Sequence, residues 1–485
     1  MKPNFLFLHF DSIRASALSC YGNPIAATPN FERLAKGGVL FENCVAPFPL
    51  CAPSRCSMLT GLYPHAAGHR TLWQLLRSHE PSLMRYLKND GYAVRMYGKN
   101  DAYSKEYLDE VCDNIGELRG KYRVKGATCP RFGKNPHEPG SPMFYSFLWD
   151  EIEDETDEPL LPDAEQAALE WLEEAPDDKP FMLYVPTELP HPPYSTLSRF
   201  YHMYDGADVS GMITPLAEVY NDGSQISEHR AHFNADKFDK GYYEKILRVY
   251  LGMVSYCDYL LGRFLDVLES RGLAENTVVI VSSDHGDYAG DKGLFEKRLM
   301  CLEDDMIHVP LIISAPGVLR DRRAKGQTEL FDIMPTVLDF AGIKCGHHHN
   351  AVSLLPHMTE GFDDLSRRAF AEAGYSPRDL EFANQRLESD GVKNVGNPYY
   401  LYTNMPEGLI GYRSCCVREA GHKLIWRANG RHELFDLIND PGETKNLVDE
   451  PAHINTRERL KEALLKWYLD TADMMPPWTD RRDWK

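Results

Sequence analysis

The sequence predicts an α/β protein with a large, mostly parallel sheet and a smaller α/β domain behind it. Two observations carry that expectation. Up to about residue 365, short apolar runs alternate with stretches of helical periodicity, as strands joined by crossover helices do. Beyond that point the pattern changes to short strands and one terminal helical stretch. The 485 residues suffice for a large core and for two domains, expected at 1–365 and 366–485.

The elements follow in order. Residues 4–10 form an unbroken apolar run and open the fold as a strand. Further strands are expected at 92–97, 181–186, 277–282 and 310–314, with helices at 30–36, 81–88, 164–173, 242–271 and 332–341. The longest helix carries Val249, Met253, Leu260, Leu261, Phe264, Leu265 and Leu268 at helical spacing, a stripe for packing on the sheet, and stops near Gly272. The later segment offers strands at 368–372, 410–417, 422–425 and 433–436 and a helix at 456–473. The acidic run at 150–158 reads as a solvated loop. Residues 200–240 lack periodicity and read as a substrate-covering loop or an insertion.

Composition excludes several functions. A net charge of −19 argues against a nucleic-acid partner, which needs a basic face. Anion affinity must come from a local cluster of cations. The apolar run before Asp11 is too short for an export signal, and no segment is long and apolar enough to span a membrane, so a cytoplasmic location is expected. Eleven cysteines, two of them adjacent at Cys415-Cys416, do not suggest a disulfide framework. The cluster His347-His348-His349 reads as a surface loop. Oligomeric state is not legible.

The chemistry begins at Cys51-Ala52-Pro53-Ser54-Arg55. Pro53 suits the first turn of a helix, where its missing N–H costs nothing. Cys51 then sits just outside a helix N-terminus, which favours a tetrahedral anion, with Arg55 one turn in. Arg55 can fork two hydrogen bonds to an oxyanion or to the nucleophile's oxygens.

Other candidates follow strands: Asp11 the first, Lys99 the second, His191 the third, Asp284 and His285 the fourth. Ligands of open α/β sheets bind outside the carboxyl ends of strands, so these side chains converge on one edge. Asp11, Asp284 and His285 suit a divalent ion. Lys99 and Lys297 can hold the oxygens of a transferred group, and His191 can protonate a departing alcohol.

Cys51 to Arg55, with Thr60-Gly61-Leu62-Tyr63-Pro64-His65, resembles the signature of the cysteine-type, type I sulfatases. Ser283-Asp284-His285-Gly286, Gly290, Lys297, Val309 to Ile313 and Pro316-Gly317 are similar to that family's second block. Asp332 to Thr336, Glu433 to Leu437, Asp440-Pro441, Glu443 and Asn446-Leu447 resemble later landmarks. The likeness runs in order over nearly the whole chain. It implies the alkaline-phosphatase-like fold: an α/β/α sandwich plus a small C-terminal domain with a short antiparallel sheet.

The resemblance also implies roles. Cys51 would be oxidised to formylglycine by a separate maturation enzyme, and the hydrated aldehyde would attack sulfur. Cys51 with Asp11, Asp284 and His285 would bind the metal, expected to be Ca²⁺, with Mg²⁺ or Mn²⁺ as alternatives. Arg55 would orient the nucleophile, Lys99 and Lys297 would bind sulfate, and His191 would act at the leaving oxygen. Ser12 stands in the metal shell where many relatives carry a second acid, so one charge is lost. Asn100 and Asp101 stand where many carry a histidine that helps expel sulfate. Asp101 could be that base, or Asn100 could hydrogen-bond the diol. The expected substrate is a small sulfated ester, such as a mono- or disaccharide. His69, Arg70 and Trp73 either contact that substrate or pack internally, and loops between 100 and 240 are expected to set specificity. A phosphonate monoester or phosphodiester hydrolase is the alternative reaction, against which Lys99 argues. An inactive metal- and anion-binding protein is the third reading.

Overall fold

The computed structural model describes residues 2–113, 132–154, 156–176, 178–214, 225–389 and 393–473. The large sheet has eight strands: β1 (Asn4–Phe10), β2 (Val39–Val45), β3 (Ala93–Met96), β4 (Phe181–Pro186), β5 (Thr277–Ser283), β6 (His308–Val309), β7 (Leu311–Ser314) and β8 (Arg322–Glu329). Their order is β3-β4-β1-β5-β7-β2-β6, with β8 also paired to β2. The four strands from β3 to β5 run parallel, β7 and β6 pair antiparallel to their neighbours, and β8 is parallel to β2.

Both faces of this sheet are covered, which is why β1 is apolar at nearly every position. Phe5 and Phe7 point into one core with Met58, Leu59 and Leu83. Leu6, Leu8 and Phe10 point into the other with Leu247, Tyr250 and Leu261. The first core is closed by helices α2 (Cys51–Thr60), α3 (Leu83–Asn89) and, further on, α6 (Ile333–Ala341); the second by α1 (Pro29–Gly37), α4 (Asp163–Glu173) and the long α5 (Lys240–Ser270). The result is a three-layered α/β/α sandwich.

The second sheet is antiparallel, in the order β12-β11-β10-β9: β9 (Ala369–Ala373), β10 (Ser414–Arg418), β11 (His422–Arg427) and β12 (Glu433–Asp436). Between β9 and β10 lie α7 (Pro377–Ser389) and two short helices, Tyr400–Thr403 and Glu407–Ile410. The terminal helix α8 (Ile454–Thr471) packs Leu460, Leu464 and Trp467 on this sheet, with Trp467 stacked 4.9 Å from Phe370.

The strands depart from the sequence expectation in the following places. Strands β2 and β8 are not legible: β2 mixes Glu42 and Asn43 into its apolar run, and β8 reads Arg-Arg-Ala-Lys-Gly-Gln-Thr-Glu. The strand expected over 410–417 starts only at Ser414, and its first residue, Ile410, ends a helix instead. Among the described residues no helix is long and apolar enough to cross a membrane.

Candidate active site

Helix α2 begins at Cys51 itself, so the cysteine is its first residue and not its outer neighbour. Ser54 N–H closes the first turn on Leu50 O at 3.1 Å, and Ser54 Oγ donates to Asp284 O at 2.7 Å. That second bond fastens the helix to the end of β5. At its far end, Gly61 takes φ 72°, and a Cβ there would stand 2.5 Å from Met334 Cε.

The strand ends deliver the rest. Asp11 follows β1 and Asp284 follows β5, its hydrogen-bonded neighbour in the sheet. Lys99 follows β3 after Gly98, whose φ of 122° brings its Cα so close to β4 that a Cβ would lie 2.3 Å from Pro186 O. Lys99 N–H then donates to Pro186 O at 2.6 Å. His191 lies in the segment after β4, and Lys297 in a buried loop after β5.

Asp11, Cys51, Asp284 and His285 come together, each offering a ligand atom within 4.8 Å of the others. Arg55, fully buried, binds one oxygen of each acid: Nη2 to Asp11 Oδ2 at 3.0 Å and Nε to Asp284 Oδ2 at 2.9 Å. Its third donor, Nη1, reaches Lys99 O at 3.4 Å. The other oxygens, Asp11 Oδ1 and Asp284 Oδ1, lie 3.6 and 3.7 Å from His285 Nε2. His285 Nδ1–H donates to Gly286 O at 2.9 Å, which leaves Nε2 with its lone pair, buried and without a hydrogen-bond partner. An orphaned imidazole nitrogen facing two carboxylate oxygens suits a divalent cation. Ser12, at φ 77°, serves the carboxylates: its Oγ donates to Asp11 Oδ1 at 3.0 Å and its N–H to Asp284 Oδ1 at 3.3 Å.

Around this group lie further charged side chains. Lys99 Nζ is 2.7 Å from Asp11 Oδ2, 3.7 Å from Cys51 Sγ and 3.1 Å from Asp101 Oδ2. Burial opposes the Lys99 charge, but Asp11, Cys51 and Asp101 outweigh it and hold the ammonium well above its ordinary value. Lys297 Nζ donates to His191 Nε2 at 2.6 Å and to Glu296 Oε1 at 2.7 Å. Burial opposes its charge too, and Glu296 offsets this, so it stays protonated. His191 Nδ1–H donates to Pro192 O at 2.6 Å. Burial, then Lys297 and Lys99, hold its basicity well below the usual imidazole range. His191 is therefore neutral near pH 7. Burial also pushes the Cys51 thiol up to about 12, so the unmodified side chain is a poor nucleophile.

Asn100 is spent on its own loop. Its Nδ2 donates to Tyr103 O at 2.8 Å and its Oδ1 accepts from Tyr103 N–H at 3.0 Å. Asp101, by contrast, lines a cavity of about 380 Å³ together with Cys51, Lys99, His191 and Lys297. His69 and Arg70 do not line it. His69 meets Gln74 O and Glu80 Oε1, both at 2.7 Å, and Arg70 binds Glu372 and, at 3.1 Å, Gly374 O. Both pack internally, the second of the two expected readings, and Arg70 braces the small sheet against the catalytic face. Trp73 does line the cavity. Sequence reasoning missed Tyr375, Tyr399 and Tyr402 on the same wall; the dense aromatic run Tyr399-Tyr400-Leu401-Tyr402 was the available signal. The histidines at 347–349 stay outside any metal group found among the described residues, and His347 instead bonds Thr60 O at 2.8 Å.

A floor of cations beside a group of residues that could hold a metal ion, at a helix start, suits an anionic tetrahedral ester. The chain belongs to the sulfatase family, hydrolases of sulfate esters, whose family model matches residues 3–343. A sulfatase of Formosa agariphila is 26% identical, covering 96% of this chain and 87% of the relative. An N-acetylglucosamine-6-O-sulfatase of Bacteroides thetaiotaomicron is 24% identical over 96% of this chain and 86% of its own length. The solved phosphonate monoester hydrolase of Agrobacterium radiobacter has the same fold, with a TM-score of 0.74 and 21% identity over 97% of this chain and 96% of that one. The fold is thus the alkaline-phosphatase-like one that the sequence resemblance implied.

Proposed function

We propose that the protein releases inorganic sulfate from a small sulfate ester, using formylglycine made from Cys51 by a partner maturation enzyme and one divalent ion, expected to be Ca²⁺. The observation that supports it most is the orphaned His285 Nε2 facing Asp11 Oδ1 and Asp284 Oδ1 beside the first residue of α2. Asp11, Asp284, His285 and residue 51 would hold the ion, which would neutralise anionic oxygen and favour ionisation of a hydroxyl. Formylglycine supplies a hydrated aldehyde hydroxyl as nucleophile. Lys99 and Lys297 bind the sulfate oxygens. Lys297 carries the proton nearest the leaving oxygen, since His191 is neutral and accepts from it; His191 orients that ammonium.

Asp101 acts in sulfate release, and Asn100 does not, its polar atoms being committed to Tyr103. Asp101→Ala is therefore expected to lower kcat by about 10²-fold. KM should fall with it, leaving kcat/KM nearly unchanged, because the defect lies after the ester bond is cut. An unaltered kcat removes Asp101 from the mechanism.

The sulfated-saccharide expectation rests on likeness to relatives with such names. The reaction class is tested by comparing kcat/KM for an aryl sulfate and a matched aryl phosphonate monoester, after coexpression with a maturation enzyme and confirmation of the Cys51 peptide by mass. Sulfate is expected to be the better substrate. A preference for the phosphonate replaces this reading with the alternative hydrolase.

A further inference from the structure

We propose, on the basis of the sulfate-ester reading above, that the leaving group is an apolar alcohol with an extended hydrocarbon body, and not a saccharide. The lining of the cavity carries this. Its charged residues, Lys99, Asp101, His191, Glu296 and Lys297, are the catalytic side chains and their direct neighbours. Among the described residues the rest of the wall is mostly aromatic and aliphatic, with Trp73, Tyr375, Leu380, Tyr399, Tyr402 and Met405 prominent and Asn384 and Thr403 its polar members.

Several polar atoms on that wall are already engaged, leaving the Tyr375 hydroxyl and the Asn384 amide NH₂ as its free polar groups among the described residues. Tyr399 hydroxyl donates to Pro192 O at 3.4 Å and Tyr402 hydroxyl to Lys297 O. Thr403 Oγ1 donates to Tyr400 O at 3.1 Å, and Asn384 Oδ1 accepts from Lys393 Nζ at 3.2 Å. A bound sugar would bury several hydroxyls against this surface, and each unpaired one costs affinity. A hydrocarbon body has no such cost and gains from every methylene removed from water. His69 and Arg70, the residues that could have contacted a sugar or its carboxylate, are occupied elsewhere.

The wall is also firmly built. Half of the residues lining the cavity fall between 375 and 410, in the segment inserted between β9 and β10. That segment is held from behind: His232 Nε2–H donates to Leu401 O at 2.8 Å and Gln225 Nε2 to Leu409 O at 3.1 Å. The Arg298 guanidinium lies 3.7 Å from the Phe233 ring centre and 4.6 Å from that of Tyr402.

The test is a series of n-alkyl sulfates from butyl to decyl, below their micelle concentrations, with N-acetylglucosamine 6-sulfate as the saccharide probe. Sulfate release is followed with the matured full-length protein. The kcat/KM is expected to rise about fourfold per added methylene until the cavity fills, and to exceed that of the saccharide. Leu380→Asn and Met405→Gln, each checked for folding by circular dichroism, should flatten the series. A flat series with the unaltered protein, or a saccharide that outperforms octyl sulfate, overturns the proposal while leaving the sulfatase reading in place. If the sulfates are untouched and alkyl phosphonate monoesters are cleaved, the sulfatase reading fails instead. The slope along the phosphonate series then decides the apolar wall by itself.

Discussion

Cys51→Ala is expected to lower kcat/KM for an aryl sulfate by at least about 10⁴-fold, the scale on which loss of a covalent nucleophile is felt. The fold should survive, because alanine suits the first turn of α2 and the anchoring bond from Ser54 Oγ to Asp284 O remains. Three of the four metal-ligand candidates also remain, so divalent-ion binding, measured by calorimetry, should weaken but persist. The contrast between lost turnover and retained binding separates a nucleophile from a merely structural cysteine. An alanine variant that keeps a tenth of the activity would falsify the role given to Cys51.

The second large effect is expected at Arg55. Its guanidinium is buried against Asp11 and Asp284, and no solvent reaches any of the three side chains. Burial works against the arginine's charge, but Asp284 and Asp11 outweigh it and hold the group well above its ordinary value. Arg55→Met leaves two carboxylates buried without their common cation. Removing one member of such a cluster costs about 3–5 kcal/mol. The loss should appear as a lower urea midpoint in the presence of a chelator. Added divalent metal should narrow the difference, since an ion between the same acids replaces part of the missing charge. A midpoint unchanged in chelator means the carboxylates are stabilised by other groups, with Lys99 the first to examine.

The site was largely legible in the sequence because its chemistry demands particular residue types at strand ends. Asp11, Lys99, His191 and Asp284 each follow an apolar run, and parallel strands bring such positions to one edge. What each donor binds was not legible. Arg55 was expected to orient the nucleophile, yet its three donors go to two carboxylates and a carbonyl. Local sequence cannot show which partner, hundreds of residues away, occupies a guanidinium. The same reason hid the fate of Arg70, whose partners include Glu372. In the fold, β1 and β5 announced themselves because both faces are buried, whereas polar β8 gave no periodic signal. Residues 114–131 and 215–224, within the loops expected to set specificity, lie outside the described residues. The cavity wall was found instead in 375–410, a segment whose helices the sequence reading passed over.

That location separates inheritance of chemistry from inheritance of taste. The candidate reacting groups belong to the large sheet and its loops, all before residue 300, while much of the wall is one excursion between two strands of the small sheet. An insertion anchored at both ends by adjacent, paired strands can be lengthened, shortened or exchanged without disturbing the register of either. Descendants of such a chain can diversify the alcohols they accept while the sulfate-handling floor stays unaltered. The small sheet is then the hinge on which new specificities are hung, as well as a brace.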